Sequence, residues 1–226
     1  GETLAQWLHR QEKPLNLDEI LPILQQTALA LNAMHRLEML HQDIRPKNIM
    51  VINAENAMKI KLIDYGSTAV RGLVEINPKN ANRALGTLAF MAPEYFIDHS
   101  PSVHSDQFSL AVMAYYLFTK QLPYGTDLAR CNSLKQMKKV QYHSIRKYRP
   151  DLPIWLDKIL GQALSIEPIH RFEALSELIH NLMHPSKELL NSKPPAIIER
   201  DPLRFWQMSC AVLGLLFLLS IAWPFI

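Results

Sequence analysis

Hydrophobic residues recur every three or four positions over residues 17–37, which is typical of a helix with one buried face. Asn16 or Asp18 could cap the beginning of this helix. Two short β-rich runs follow, residues 48–52 and residues 58–63, and the segment between them contains two Asn. We therefore predict a long helix followed by a β-hairpin.

Loops and further helices are predicted for the rest of the body. Residues 67–87 have no clean period and contain Gly72 and Pro78, which favours a loop. Helical spacing predicts four more helices, over residues 105–119, 128–140, 154–165 and 172–184. The expected fold is mainly α, with one short β-hairpin.

The C-terminal end has a different pattern. Residues 208–226 form a run of 19 residues without a charged side chain, close to the about 20 apolar residues that span a bilayer. Trp206 and Trp223 bracket the run as interfacial aromatic residues do. We expect a transmembrane helix over residues 205–226 and a juxtamembrane linker over residues 185–204. The alternative is a buried core helix, which rarely runs this long without a polar face.

Composition excludes several classes of protein. The chain has 226 residues, of which 48% are hydrophobic and 20% charged, so it is not a disordered chain. A formal net charge of +3 does not indicate a nucleic-acid partner. The two Cys are far apart in the sequence, which excludes a disulfide scaffold and a Cys-based zinc site. No glycine-rich phosphate-binding motif occurs among the seven Gly.

Basic residues are concentrated in residues 120–149, which contain eight Lys or Arg and one Asp. The simplest interpretation is a helix face in contact with water. Two alternatives are a site for acidic partners and contact with anionic lipid. More basic residues precede the predicted transmembrane helix, so the positive-inside rule places residues 1–204 in the cytoplasm.

Candidate chemistry flanks the predicted hairpin. Asp43 and Asn48 precede it, and Asp64 follows its second strand, which can return Asp64 to the side of Asn48. A carboxylate and an amide oxygen suit Mg²⁺. Asp43 could then accept a proton from a hydroxyl, while Arg45 neutralises charge on a phosphoryl group. These groups together indicate phosphoryl transfer.

Several motifs around these residues resemble the C-terminal lobe of a protein kinase. His41-Gln42-Asp43 with Asn48 resembles H-R-D-L-x-x-x-N, Asp64-Tyr65-Gly66 resembles D-F-G, and Ala92-Pro93-Glu94 matches A-P-E. Further similar blocks are Gly86-Thr87, residues 105–112 and Pro168-Ile169-His170-Arg171. The resemblance covers residues 1–184.

The chain is similar in particular to bacterial eukaryotic-like serine/threonine kinases. Arg45-Pro46-Lys47 is closer to the serine/threonine type than to the tyrosine type. Residues 194–207, before the terminal apolar run, resemble the linker of membrane-anchored kinases fused behind a metal-dependent phosphatase domain. The resemblance implies a single-pass protein of the cell inner membrane with its kinase lobe in the cytoplasm.

The resemblance implies a role for each candidate residue. Asp43 would be the catalytic base, assisted by Arg45, whereas Asn48 and Asp64 would bind Mg²⁺ and through it ATP. Met50 would form the floor under the adenine ring. The implied reaction transfers the γ-phosphoryl group of ATP to a Ser or Thr hydroxyl of a protein substrate. The alternative roles are a salt bridge for Arg45, turn capping for Asn48 and Asp64, and core packing for Met50.

Structural roles are implied for other residues of the same motifs. His41 would pack under Tyr65, Asp106 would accept backbone N–H groups of the catalytic loop, and Glu94 would form a buried ion pair with Arg171.

Departures from the family pattern leave two other functions open. Gln42 replaces the Arg that binds a phosphorylated activation loop, and Tyr65 replaces Phe. The N-terminal lobe is expected to precede Gly1, so the chain by itself is expected to transfer phosphate poorly. The alternatives are a pseudokinase that binds partners and a small-molecule phosphotransferase. Ala92-Pro93-Glu94 argues against the second, because that class lacks this motif.

Overall fold

The computed structural model describes residues 1–54, 57–64, 69–70, 88–97, 100–191 and 202–222. The chain divides into two compact units, Gly1–Leu190 and Asn191–Ile226. The sequence predictions for Tyr65, Gly66, Gly86-Thr87 and Trp223 lie outside the described residues, as does most of the predicted loop 67–87.

Helices dominate the described part of the first unit. They are α1 (Leu4–His9), α2 (Leu17–Arg36), α3 (Val103–Thr119), α4 (Leu134–Met137), α5 (Ile154–Ala163), α6 (Leu175–Met183) and α7 (Lys187–Leu190). Short 3₁₀ turns connect them, at Pro46–Asn48, Pro93–Phe96, Leu128–Arg130, Ile145–Lys147 and Pro168–His170. The prediction of a mainly helical fold is confirmed.

Helix α2 confirms the strongest periodic signal in the sequence. Asn16 caps it: the Asn16 side chain accepts the Glu19 N–H at 3.0 Å, and the Glu19 carboxylate accepts the Asn16 N–H at 2.8 Å. Its apolar face, which includes Ile20, Leu24 and Leu31, is buried in the core. Of the two candidate caps, the structure therefore selects Asn16.

Short antiparallel strands form two small sheets. β1 (Glu2–Thr3), β3 (Ile49–Ala54) and β4 (Ala57–Leu62) form the first in the order β1-β3-β4, and β2 (Met39–Leu40) pairs with β5 (Ala69–Val70) in the second. The predicted hairpin is β3 and β4, with Ile49 opposite Leu62. Its strands extend further toward the turn than the sequence pattern predicts.

Helix α3 runs through the core. Each residue from Ser105 to Tyr115 is buried, polar ones included. Gln107 shows how a polar side chain is accommodated there, since its Nε2 donates to Phe172 O at 3.1 Å and its Oε1 accepts the Phe172 N–H at 3.2 Å. Buried polar groups are tolerated when they are paired in this way.

One helix prediction was wrong. Residues 128–140 form the turn Leu128–Arg130 and the single-turn helix α4 instead of one continuous helix. Cys131 has extended backbone between them, and the Asn132 N–H donates to the Gln136 side chain at 3.1 Å. A side chain that takes a backbone N–H in this way offers the backbone an alternative to the helical bond.

Two helical elements lie in or near the predicted linker and membrane segment. Helix α7 falls inside residues 185–204. In the second unit, α8 (Pro202–Ala222) contains most of the predicted transmembrane segment 205–226. None of the helices formed by described residues has both the length and the hydropathy needed to cross a membrane.

A buried ion pair connects distant parts of the first unit. The Arg171 guanidinium donates two hydrogen bonds to the Glu94 carboxylate, at 2.9 and 2.8 Å, as the sequence predicted. Its other N–H groups donate to the carbonyls of Ser165, His104 and Ile166. All five donors of this guanidinium are therefore satisfied inside the protein.

The charge on Glu94 is maintained despite its burial. Burial would raise the pKa of the Glu94 carboxyl, but the hydrogen bonds and charge of Arg171 outweigh it and hold that pKa below its usual range. The pair therefore contributes stability above the ordinary carboxyl pKa. This contribution is lost as the pH falls through the lowered value.

Glu94→Ala should lower the free energy of unfolding by about 3–5 kcal/mol, because it leaves the Arg171 charge buried without its partner. Urea denaturation of the purified chain measures this. Glu94→Leu combined with Arg171→Met should recover part of the loss. Glu12→Ala, at an exposed position, is the matched control and should leave the midpoint unchanged. An unchanged urea midpoint of the Glu94→Ala protein would contradict a stabilising ion pair.

Candidate active site

The loop between β2 and β3 is held by one carboxylate of helix α3. Asp106, fully buried, accepts the His41 N–H at 2.9 Å through Oδ2 and the Gln42 N–H at 2.8 Å through Oδ1. His35 Nε2 lies 2.9 Å from the same Oδ2. The prediction that Asp106 accepts backbone N–H groups of this loop is confirmed.

The backbone next to Asp43 adopts an unusual conformation. Gln42 has φ of 64°, in the left-handed region, and Asp64 has the same value at the other end of the hairpin. This region costs a residue other than Gly about 1–2 kcal/mol. Strain of this kind persists where surrounding bonds impose it. At Gln42, the bond from its N–H to Asp106 is one such restraint.

Asp43 is oriented by a hydrogen bond to one carboxylate oxygen, and a guanidinium lies near the other. Asn48 Nδ2 donates to Asp43 Oδ2 at 2.8 Å and to the Asp43 carbonyl at 2.9 Å. Arg45 Nε lies 3.7 Å from Asp43 Oδ1. The structure thus brings together three of the predicted residues, with the carboxylate of Asp43 largely buried and oriented between an amide and a guanidinium.

The hairpin returns the chain to Asn48. The Ile63 N–H donates to the Asn48 carbonyl at 3.0 Å, and Asp64 is the next residue. Both side-chain bonds of Asn48 use Nδ2, which leaves its Oδ1 as an oxygen ligand, and the Asp64 side chain is exposed. One amide oxygen and one carboxylate fit Mg²⁺, which typically binds one or two such protein ligands together with water and phosphate. Among the described residues, no cluster of three or more His, Cys, Asp or Glu could hold a metal ion.

Met50 and His41 are two other residues for which the sequence predicted a role. Met50 is half-buried in β3, opposite Thr3 and Lys61, and its contact with adenine stays a prediction. His41 is fully buried, and burial lowers its pKa although the carboxylates of Asp106 and Asp43 act in the opposite direction. The His41 ring is therefore neutral at pH 7, which suits a packing role.

The sequence analysis did not identify His35 as part of this network. His35 lies at the end of α2 and comes close to Asp106, which is far away in the sequence. No local pattern marks such a contact. The available signal was chemical, since a buried carboxylate that accepts two backbone N–H groups still has lone pairs to satisfy.

Residues 1–185 match the family model described as protein kinase domain. The chain belongs to the protein kinase family. The chain is 26% identical over 178 residues to the serine/threonine-protein kinase PrkC of Bacillus subtilis, covering 79% of this chain and 26% of that protein. It is 30% identical over 176 residues to the serine/threonine-protein kinase pkn3 of Myxococcus xanthus, covering 76% of this chain and 32% of that protein.

Solved structures share the same fold. The kinase domain of Mycobacterium tuberculosis PknI has a TM-score of 0.60 and 25% identity, over 81% of this chain and 62% of that one. The twitchin kinase region of C. elegans, 22% identical with a TM-score of 0.61, shows the fold alone. This kinase chain spans about a quarter to a third of the length of the curated relatives that it matches.

Asp106→Asn should loosen the loop between β2 and β3. The change replaces one acceptor oxygen by an amide that faces a backbone N–H, which should cost about 1–3 kcal/mol. Hydrogen exchange should show faster exchange at the amides of His41 and Gln42. The exposed Asp127 supplies the control, since Asp127→Asn should leave these two amides unchanged. Unaltered protection in the Asp106→Asn protein would show that this carboxylate does not hold the loop.

Proposed function

We propose that this chain is the catalytic lobe of a membrane-anchored serine/threonine protein kinase, which transfers the γ-phosphoryl group of ATP to Ser or Thr hydroxyls of proteins. The arrangement of Asp43 between Asn48 and Arg45 carries the proposal, with Asp64 returned to the same place by the hairpin. The curated relatives named above, which are serine/threonine kinases, support it.

Asp43 is proposed as the group that accepts the proton of the substrate hydroxyl. Its carboxylate is oriented by the 2.8 Å bond from Asn48. The location of Asp43 in the site is set by the hydrogen bonds that the two preceding residues donate to Asp106. A base that is fixed before the substrate binds needs little rearrangement to reach the hydroxyl. This preorganisation is the main contribution that the described residues make to the reaction.

The charges around Asp43 fit a phosphoryl group. Arg45, 3.7 Å from Asp43, would neutralise negative charge on the phosphoryl group as it is transferred. Mg²⁺ held by Asn48 Oδ1 and Asp64 would neutralise the charge of the ATP phosphates. Met50 would lie under the adenine ring.

The proposal includes the place of this chain in the kinase. Residues 1–184 contain the catalytic-loop, D-x-G, A-P-E and P-x-x-R motifs but no glycine-rich loop motif, which supports their assignment as a C-terminal lobe. Residues 185–204 would be the juxtamembrane linker. The resemblance of residues 194–207 to the linker of phosphatase–kinase fusions supports a kinase of that type.

Membrane anchoring rests on the sequence of the C-terminal segment. Residues 208–226 have no charged side chain, and basic residues precede them. We propose that residues 205–226 anchor the protein in the inner membrane, with the kinase lobe on the cytoplasmic side.

Asp43→Asn in the full-length protein should lower kcat by about 10²–10⁴-fold, since it removes a general base, and should leave ATP binding largely intact. Asp64→Ala should weaken Mg²⁺-dependent ATP binding as well as turnover. Phosphate transfer to a Ser-containing protein and nucleotide binding are measured side by side. Asp127→Asn is the matched control.

Each of three results would count against these roles. Normal turnover of the Asp43→Asn protein would exclude Asp43 as the base. If Asp43→Asn instead weakened ATP binding and left turnover at saturating ATP unchanged, the roles assigned to Asp43 and Asp64 would have to be exchanged. ATP binding without phosphate transfer by the unmodified full-length protein would identify a pseudokinase.

Leu215→Lys should weaken membrane retention, because Lys at the centre of a spanning helix costs about 2.5–3.5 kcal/mol. Deletion of residues 205–226 should release the protein completely. Fractionation with an alkaline carbonate wash measures both. Leu203→Lys, upstream of the charge-free run, is the control and should remain in the membrane fraction. Release of the unmodified protein by the wash would exclude the anchor.

A further inference from the structure

An open cleft lies directly beside the catalytic loop. It has a volume of about 870 Å³, and its lining includes Glu2, His9, Arg10 and Lys47. Lys47 belongs to the turn Pro46–Asn48, so it precedes the proposed Mg²⁺ ligand and follows Asp43 by four positions. A peptide whose hydroxyl reaches Asp43 would therefore pass close to this cleft.

The wall opposite Lys47 is an ordered element. Helix α1 begins with a capping box, in which the Thr3 hydroxyl accepts the Gln6 N–H at 3.2 Å and the Gln6 side chain accepts the Thr3 N–H at 2.9 Å. Leu4 and Leu8 are buried, and α1 packs against the turn Pro46–Asn48 and against β3. The cleft is thus formed by elements whose positions depend on the same core as the catalytic loop.

Positive charge is in excess in the cleft. Among the described residues that line it, Glu2 is the only acidic one, and Glu2 is ion-paired with Arg10. Lys47 is exposed, and no carboxylate of the described residues is paired with it. An unpaired cation next to a neutralised pair favours a ligand with negative charge.

Two residues of the basic segment 120–149 contact the chain that follows α1. Lys120 Nζ donates to the Gln11 carbonyl at 3.4 Å, and Arg149 Nη1 donates to the Leu15 carbonyl at 3.2 Å. These contacts attach the segment to the residues that follow α1.

We propose that this cleft binds an acidic side chain of the protein substrate, so that the kinase selects Ser or Thr residues flanked by Asp, Glu or phosphorylated residues. An extended peptide covers about 3.3–3.6 Å per residue, so a residue two or three positions from the reacting hydroxyl reaches the far side of the turn. This inference rests on the proposed function, because it takes the occupant to be the peptide that presents its hydroxyl to Asp43.

A binding comparison tests the cleft independently of catalysis. One fluorescent peptide carries a Ser flanked by two Glu on each side, and its counterpart carries Gln in place of each Glu. Fluorescence anisotropy with the full chain should show tighter binding of the acidic peptide. Lys47→Glu should reduce this preference by up to about fivefold, which is the upper end of the range expected for one exposed charge pair. Added salt should reduce it as well.

Lys187→Glu is the matched control. Lys187 is also exposed but belongs to α7, so this change alters the net charge of the chain equally and should leave the preference intact. Thermal melts establish that both variants are folded. In the full-length protein, the ratio of kcat/KM values for the two peptides should fall in the Lys47→Glu protein and not in the Lys187→Glu protein.

Several outcomes overturn the proposal. These are equal binding of the two peptides, no binding of either peptide, and an equal effect of the two charge reversals. Phosphatidylserine vesicles provide another arm: if Lys47→Glu weakens vesicle binding but not peptide binding, the cleft binds lipid. Failure of the proposed function gives a different result, namely no phosphate transfer to either peptide. The binding comparison still shows in that case whether the cleft prefers the acidic peptide.

Discussion

The loop between β2 and β3 depends on the hydrogen bonds that it donates to the buried carboxylate of Asp106. A buried charge must be paired with donors, and Asp106 finds them in the N–H groups of His41 and Gln42 and in the ring of His35. These bonds hold Gln42 in its left-handed conformation and so determine where the chain continues to Asp43. The geometry of the proposed base is therefore set from the core outward.

The first turn of α3 connects this loop with a second buried charge. Ser105 donates to the Glu94 carboxylate at 2.7 Å, and its neighbour Asp106 holds the catalytic loop. Arg171, the partner of Glu94, also donates to the carbonyl of His104. Because His104 and Ser105 contact the ion pair and the next residue, Asp106, binds the loop, a displacement of this helix end would disturb the ion pair and the loop together.

Local patterns in the sequence were sufficient for the elements whose stability is local. Helix α2 combines a periodic apolar face with a capping box, and the hairpin combines two β-rich runs with a short turn, so both were predicted. The predicted hairpin also returns the chain at Ile63, the residue before Asp64, to the Asn48 carbonyl. The catalytic and metal-binding roles of Asp43, Asn48 and Asp64 stay predictions.

Long-range contacts explain what the sequence did not show. The irregular course after α4 is held by Asp157 of α5, which accepts hydrogen bonds from Tyr142, Ser144 and the Ile145 N–H. No periodic pattern reveals such a contact, which lies just beyond residues 128–140, the range that was wrongly assigned to one helix. The strands of two residues were missed for a simpler reason, since they are too short to display any alternation.

The turn Pro46–Asn48 shows how a short element can separate chemistry from recognition. A 3₁₀ turn has three residues per turn, so consecutive side chains point about 120° apart. Pro46 and Asn48 are buried, and Lys47 between them is exposed. Asn48 can therefore orient Asp43 from the interior while Lys47 lines the cleft outside. A change of charge at Lys47 alters what the surface attracts without removing a hydrogen bond from the base.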